Sequence, residues 1–351
     1  MQENNQKIKA GVIGATGYAG VELVRLLLGH PLAELSAVSS VSFEGKKLSE
    51  IYPSLYQICD MVLTDEEDVI KKSDIVFTSV PSGISESIAE KCIRKGAKMI
   101  DLGADFRLKD EAAYKEWYGK AYISPKLHQN SVYCIPELHR ERVSPAVSIV
   151  GNPGCYPTSI ALGLAPAVRA GLIQTQGIII DAKSGVTGAG RSLSQNTHFP
   201  DCNESFSPYK VAAHRHTPEI EQTLSEICGT KATVTFVPHL LPVSRGIVST
   251  IYTSLSENTN YQSIRKIYEE YYDNERFVRV LPEGQTANLK RVAYSNYCDI
   301  SLHADSRANR LVIVSAIDNM VKGAAGQAIQ NMNLLFGWEE GTGLSLIPPA
   351  I

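Results

Sequence analysis

Over residues 7–110, short apolar runs alternate with stretches whose apolar positions recur every three or four residues. KIKAGVIGA (7–15) is an apolar run ending among glycines. It is followed by a predicted helix between Gly17 and Gly29, with Val21, Val24 and Leu28 on one face. LSAVSS (35–40), SDIVFTSV (73–80) and AKMIDLG (97–103) read as further strands, and SGISESIAEKCIRKG (82–96) as a helix closed by Gly96. Strands alternating with helices predict right-handed βαβ units and a parallel sheet.

The pattern changes near residue 150. VSIVGNPG leads into a predicted helix over about 156–170. GIIIDAKSG (177–185), KATVTFVPHL (231–240), RGIVSTIYTSL (245–255) and RLVIVSAID (310–318) then read as longer strands with long connections. A last helix, about 321–336, has an apolar stripe through Ala325, Ile329, Met332 and Phe336 and is expected to return to the first domain. The expected class is α/β: a Rossmann-type parallel-sheet domain plus an α+β domain. The expected division is 1–152 with 319–351, and 153–318. At 351 residues the chain exceeds the roughly 250–300 that one core usually serves, which also favours two domains.

Composition narrows the partners. Apolar residues are 44%, charged residues 20% and the net charge is −3. There is no basic excess for nucleic acid and no run of about 18–20 apolar residues for a membrane span. The polar start MQENNQ followed by KIKAGVIG lacks the plan of a secretion signal. The seven cysteines, Cys59, Cys92, Cys134, Cys155, Cys202, Cys228 and Cys298, are scattered and never spaced CxxC. A reducing cytoplasm fits, without a disulfide framework or structural zinc. Cys92 and Cys228 fall on the apolar sides of predicted helices and read as packing residues.

Gly14-Ala15-Thr16-Gly17-Tyr18-Ala19-Gly20 lies between the first strand and the first helix. Glycines there let backbone approach a pyrophosphate, and the helix N-terminus supplies N–H donors. The spacing is GxxGxxG, and its place in a βαβ series gives it weight as a dinucleotide signature. The second strand ends in Ser39-Ser40, where an NAD enzyme usually carries a carboxylate. NADP(H) is therefore expected. Lys46 and Lys47 nearby read as a solvated loop.

Cys155 stands in Gly151-Asn152-Pro153-Gly154-Cys155-Tyr156-Pro157-Thr158, at the start of an apolar helix. The positive end of a helix favours thiolate, and a thiolate can attack an activated acyl carbon. His214-Arg215-His216-Thr217-Pro218-Glu219 enters a second helix, with Thr217 as the expected N-cap and Pro218 at N1. A histidine can hold a thiolate or pass a proton, and Glu219 is near enough in sequence to orient one. A metal reading that adds His198 and Cys202 is disfavoured for want of close-spaced ligands. Two further segments carry anion-binding arginines: Arg107 in DLGADFR (101–107), and Arg191 after the glycine-rich turn SGVTGAG (184–190). Tyr209, Phe199 and the stretch 194–208 are candidates for a lid by composition.

These motifs, with HLLPVSRGI (239–247) and DNMVKGAAGQAIQN (318–331), make the chain resemble the N-acetyl-gamma-glutamyl-phosphate reductase family over nearly its whole length. The resemblance implies Cys155 as nucleophile, His214 and His216 as thiolate partner and acid/base, and Glu219 as orienting residue. It implies Arg107, Asn152 and Arg191 toward the acyl phosphate. It implies Gly14, Ala15, Thr16, Gly17, Tyr18, Gly20, Ser39, Ser40 and Pro81 around NADP(H), with Ser184 and Gly185 near the nicotinamide and Asn319 and Lys322 also approaching it. It further implies a cytoplasmic homo-oligomer, dimer or tetramer, acting on a small molecule in arginine biosynthesis, with no metal. Two alternatives compete. One is a reductase of another acyl phosphate, such as aspartyl phosphate or a carrier-bound aminoadipyl phosphate. The other is a non-catalytic NADP(H) sensor, which has no use for Cys155 or the histidine pair.

Overall fold

Residues 7–256 and 261–350 are described by the computed structural model, and they group into two units. The polar lead MQENNQ lies outside the described residues. Unit 1 runs to Pro153 and takes the chain back from Ala324 to Ser345; unit 2 begins at Gly154, runs to Gly323 and includes the segment from Leu346. Residues 319–323 and those from Leu346 thus group with the second unit, which makes the returning segment shorter than the expected 319–351.

Unit 1 is built on six parallel strands: β1 (Ile8–Ile13), β2 (Ala33–Ser39), β3 (Ile75–Thr78), β4 (Lys98–Asp101), β5 (Ser131–Tyr133) and β6 (Ile149–Gly151). Their order is β2-β1-β3-β4-β6-β5. The order reverses beside β1, and ligands of open parallel sheets bind in the crevice at such a reversal. The loops leaving β1 and β3 meet there. A side chain on Gly14 (φ 84°) would overlap the Ser79 carbonyl, and one on Gly20 would overlap the Gly14 carbonyl. Helices α1 (Tyr18–Leu28), α2 (Glu66–Lys72) and α3 (Ser85–Lys95) follow the strands. Gly96 ends α3 in the left-handed conformation. Val69, Ile70, Val76, Ile88, Ala89, Cys92 and Met99 share one buried cluster. Each comes from the apolar face of its own helix or strand, and burying such faces is the main stabilising term.

The helix Gly326–Leu335 belongs to this unit, in contact with α1 and β4. It is not amphipathic. Gln327, Gln330, Asn331 and Asn333 are as buried as Ile329 and Met332. Several of its amides are matched. Asn331 Nδ2 donates to the Cys134 carbonyl and to Asn152 Oδ1, and Asn333 Nδ2 donates to the carbonyls of Glu340 and Thr342. Buried polar groups are tolerated when so paired.

Unit 2 has a mixed seven-stranded sheet: β7 (Ile178–Gly185), β8 (Ser207–Pro208), β9 (Val234–Leu241), β10 (Ile247–Ser254), β11 (Val278–Val280), β12 (Cys298–Asp305) and β13 (Arg310–Ile317), in the order β11-β12-β13-β10-β7-β9-β8. Helix α4 (Cys155–Arg169) packs on β10 and β13, while α5 (Thr217–Cys228) and α6 (Tyr261–Tyr272) pack on α4. Strand β12 and helix α6 are additions to the sequence expectation. Polar Asp299 and Ser301 interrupt the apolar run of β12, yet both are buried. Asp299 bonds Arg279 Nε at 2.6 Å, and Ser301 accepts the Ala287 N–H. Thr217 is the first residue of α5 rather than its cap; its N-cap is His216, and no side chain caps that end. Cys228 is only half-buried, because it lies in the last turn of α5. The sheet face away from α4 leaves Ile179, Val237, Tyr252 and Val312 partly open.

Gly14→Ala should lower stability by about 1–3 kcal/mol, because alanine would need both a left-handed backbone and the space of a carbonyl. Gly17→Ala is the control, since a Cβ there meets nothing nearer than 3.4 Å. Equal melting temperatures for the two variants would contradict this packing.

Candidate active site

Cys155 is the first residue of α4, half-buried, with Gly154 as N-cap. No acidic residue stands in the first turn. The N–H groups and positive dipole end of a fifteen-residue helix therefore face the thiol, a setting of the kind that favours thiolate. The junction before it is pinned from α5: fully buried Glu219 accepts the Gly154 N–H through Oε1 at 2.8 Å. This contact ties the carboxylate to the turn that carries the cysteine, a role its sequence position did not suggest.

The two histidines gather around Tyr156, the residue after Cys155. Ring centroids lie 5.6 Å (His214) and 6.0 Å (His216) from Tyr156, and 4.8 Å from each other. The chain reaches His214 through Lys210 and Ala212, both in left-handed conformations. His214 Nδ1 accepts the His216 N–H at 3.1 Å. Burial first, then the nearby Lys210 and Arg215 charges, lowers the His214 pKa from its ordinary value to about 4. His214 is thus neutral near pH 7, and with Nδ1 accepting, its proton sits on Nε2. Phe236 and Tyr209 close the apolar ring around it, with centroids at 5.3 and 5.6 Å. The Tyr209 hydroxyl donates to that of Tyr156 at 3.3 Å. Burial foremost pushes the Tyr209 hydroxyl up to about 12, so it stays protonated.

The stretch 194–208, expected as a lid, forms two short turns and β8. With Val186, Tyr209 and Leu240 it lines a cavity of about 300 Å³. Phe199 projects outward, 73% exposed. His198 pairs with Asp201 at 3.0 Å, and among the described residues no cluster of three metal-ligating side chains forms.

The nucleotide candidates in unit 1 do come together. Gly17 caps α1 without a side-chain bond, and the first turn of α1 has no acid. The Gly14 and Ala15 N–H groups donate to the Ser39 carbonyl, fixing the loop against β2. Thr16 and Ser40 share a hydroxyl hydrogen bond at 2.7 Å, and Tyr52 donates to the Thr16 carbonyl. Tyr18 is half-buried at the entrance. These glycines form a cradle that a Cβ would fill, beside an uncapped helix end, and both suit a dinucleotide pyrophosphate. Pro81 is exposed on the loop after β3. That loop is held by Asp105, which the sequence reading passed over. Fully buried Asp105 accepts the Gly83 and Ser85 N–H groups and the Tyr114 hydroxyl. Asp101 is equally buried, and burial followed by the Asp105 charge raises its pKa.

The remaining candidates are placed as follows by the fold. Arg107 is buried and donates to the Asn152 carbonyl (2.9 Å) and the Leu102 carbonyl (2.7 Å). Asn152 is fully buried, donating to the Ala324 carbonyl and accepting from Asn331. In unit 2, Ser184 is buried with its hydroxyl on the Gly185 carbonyl, Gly185 lies hard against the backbone of Ser244, and Arg191 is half-buried beyond the Gly190 turn. Asn319 has both ends of its amide engaged, by the Gly246 N–H and by the Thr187 hydroxyl. Lys322 is fully buried with its ammonium 5.8 Å from the Phe277 ring centroid, so it offers no surface to a cofactor.

Comparison with known proteins shows the family and the fold. Residues 9–146 match the family described as semialdehyde dehydrogenase, NAD binding domain, and residues 155–319 the semialdehyde dehydrogenase, dimerisation domain. An N-acetyl-gamma-glutamyl-phosphate reductase of Brachyspira hyodysenteriae is 57% identical over 350 residues, covering 98% of this chain and 99% of the relative. One of Clostridium botulinum is 55% identical over 343 residues, at 98% and 99%. The chain belongs to the N-acetyl-gamma-glutamyl-phosphate reductase family. Solved structures add the fold. Aspartate semialdehyde dehydrogenase II of Vibrio cholerae, complexed with ASA, superposes with TM-score 0.72 at 17% identity, covering 95% of this chain and 99% of the other. The Candida albicans aspartate semialdehyde dehydrogenase with NADP gives 0.69 at 18%, over 94% and 99%.

The His214 shift has a measurable consequence. The folded chain resists a proton that the unfolded chain accepts below pH 6.5, so the unfolded state binds more protons between pH 6.5 and about 4. Stability is therefore lost as pH falls through that window, on the order of 3 kcal/mol in full. His214→Gln should flatten the dependence of melting temperature on pH there. A slope identical to the parent's would refute the buried, neutral histidine.

Proposed function

We propose that this chain reduces N-acetyl-gamma-glutamyl phosphate to N-acetyl-L-glutamate 5-semialdehyde and phosphate with NADPH, in arginine biosynthesis. The observation that carries the reading is Cys155 at the N-terminus of α4, next to Tyr156 around which the histidine pair gathers, in a chain 57% identical to a reductase of that name.

The thiolate of Cys155 attacks the acyl carbon, the bond from that carbon to the phosphate oxygen breaks, phosphate leaves, and a thioester on Cys155 remains. The helix N-terminus holds the thiolate's charge before attack. Gly14, Ala15, Thr16, Gly17, Tyr18 and Gly20 would hold the pyrophosphate of the cofactor, with Ser39, Ser40 and Pro81 around its adenosine half and Ser184 and Gly185 toward its ring. Bound NADPH supplies a hydride equivalent to the thioester carbon. The thiohemiacetal on Cys155 then expels the thiolate to release the aldehyde. His214, neutral with its proton on Nε2, suits a hydrogen-bond donor to the developing oxyanion; His216 is the partner left to exchange protons with the thiol and thiohemiacetal. Arg107, Asn152 and Arg191 are proposed toward the phosphate; for Arg107 this would require the guanidinium to serve beyond its two carbonyl bonds.

The cofactor is proposed as NADP(H) rather than NAD(H), because no carboxylate follows β2 to repel a 2′-phosphate. No helix among the described residues is long and apolar enough to cross a membrane. We place the enzyme in the cytoplasm as a homo-oligomer, dimer or tetramer, which the open face around Tyr252 and Val312 would serve. Sedimentation as a monomer would contradict that assembly.

The test runs the reaction in reverse, with N-acetylglutamate 5-semialdehyde, NADP and phosphate, following NADPH absorbance, and with aspartate semialdehyde in parallel. Phosphate-dependent NADPH formation from the acetylated aldehyde alone is expected. Activity on aspartate semialdehyde would move the substrate class. Cys155→Ala should lower turnover by at least about a thousandfold, the scale of losing a covalent nucleophile. NADPH binding should survive. Near-normal turnover in that variant would sink the mechanism.

A further inference from the structure

The sequence reading gave Gly323 no role. A side-chain carbon built on it would lie 2.7 Å from Cys155 Cβ, 3.2 Å from Cys155 Cα and 3.3 Å from Ile317 Cδ1. Its φ is not in the left-handed region, so its backbone alone does not demand glycine. What demands it is the cysteine. Gly323 lies in a π-helical turn, Val321–Ala325, whose wide winding is marked by the Gly323 N–H donating to the Asp318 carbonyl at 3.0 Å. Such turns are rare and cluster at functional sites.

The turn has little room to retreat. Fully buried Asp318 accepts the N–H groups of Met320 (2.8 Å) and Val321 (3.1 Å) through Oδ1, and that of Tyr294 (2.7 Å) through Oδ2. Lys322, next to Gly323, is buried against Phe277. The backbone at Gly323 therefore lies close against Cys155 and is anchored through Asp318 and Lys322.

We infer that Gly323, held by the Asp318-fixed π turn, is a positioning residue that sets where the Cys155 sulfur lies relative to the α4 N-terminus. The inference rests on Cys155 being the nucleophile. Any side chain at 323 shifts Cys155 Cα and Cβ by several tenths of an ångström or more. A displacement of about 1 Å can cost a hundredfold in rate.

The experiment alkylates the protein with iodoacetamide across pH, quantifies modified Cys155 by mass spectrometry, and measures turnover and NADPH affinity in parallel. In Gly323→Ala, kcat should fall at least thirtyfold and the pH midpoint of Cys155 alkylation should move, with NADPH affinity within twofold of the parent. Gly163→Ala is the control. It lies on the same helix, where a Cβ meets Ile251 and Ser315 at 3.3 Å. It should lower the melting temperature and leave the alkylation profile in place. If Gly323→Ala does not fold, Asp318→Asn, which weakens the anchor of the turn, should move the same midpoint. An alkylation profile and kcat unchanged in Gly323→Ala, or an unchanged midpoint in the Asp318 variant, overturns the inference. Failure of the underlying reading looks different: Cys155 is then alkylated in the parent protein without loss of turnover.

Discussion

A hydrogen bond from the Gly154 N–H to the buried Glu219 carboxylate ties together the two helices that carry Cys155 and follow the histidine pair. Leaving either group without a partner in the interior would cost about 1–3 kcal/mol. The contact therefore holds α5 to the start of α4. It keeps Cys155 at the positive end of its helix and sets the segment with His214 and His216 beside Tyr156. Cys155 owes its setting to one helix, while the histidines owe theirs to a second helix fastened to the first.

The environment also separates the two histidines. His214 is enclosed by Tyr156, Tyr209 and Phe236, and burial keeps it neutral. A neutral imidazole with its proton on Nε2 donates a hydrogen bond and contributes no charge. The family resemblance assigned thiolate support and proton transfer to the pair as a whole. The burial of His214 gives the two rings different chemistry, as low dielectric does for paired titratable groups generally.

Unit 1 solves a different problem with related means. Its glycine cradle and uncapped helix end offer N–H donors, and its loops are secured by buried acids rather than by apolar contact. Asp105 gathers two backbone N–H groups and a tyrosine hydroxyl at the loop after β3. The motif DLGADFR looked like an anion site because of its arginine. Its aspartates fix the architecture, and Arg107 also bonds the carbonyls of Asn152 and Leu102.

By itself the sequence determined the class of fold, the place of the dinucleotide cradle and the cysteine at a helix start. Each of these is local. Helical and strand periodicities, the glycines of Gly14–Gly20, and Pro157 with Gly154 around Cys155 act within a few residues of chain. The sequence misjudged the last helix, where glutamine and asparagine suggested a wet face. Tertiary structure buried that face by supplying carbonyl partners from residues far along the chain, such as Cys134. The contact of Glu219 with Gly154, 65 residues away, and the closeness of Gly323 to Cys155 likewise arise only on folding. Lys322, which the family resemblance sets near the cofactor, lies buried with its ammonium near an aromatic ring. A polar or missing side chain has no meaning until its neighbours in space are known, and no spacing along the chain encodes which neighbours those are.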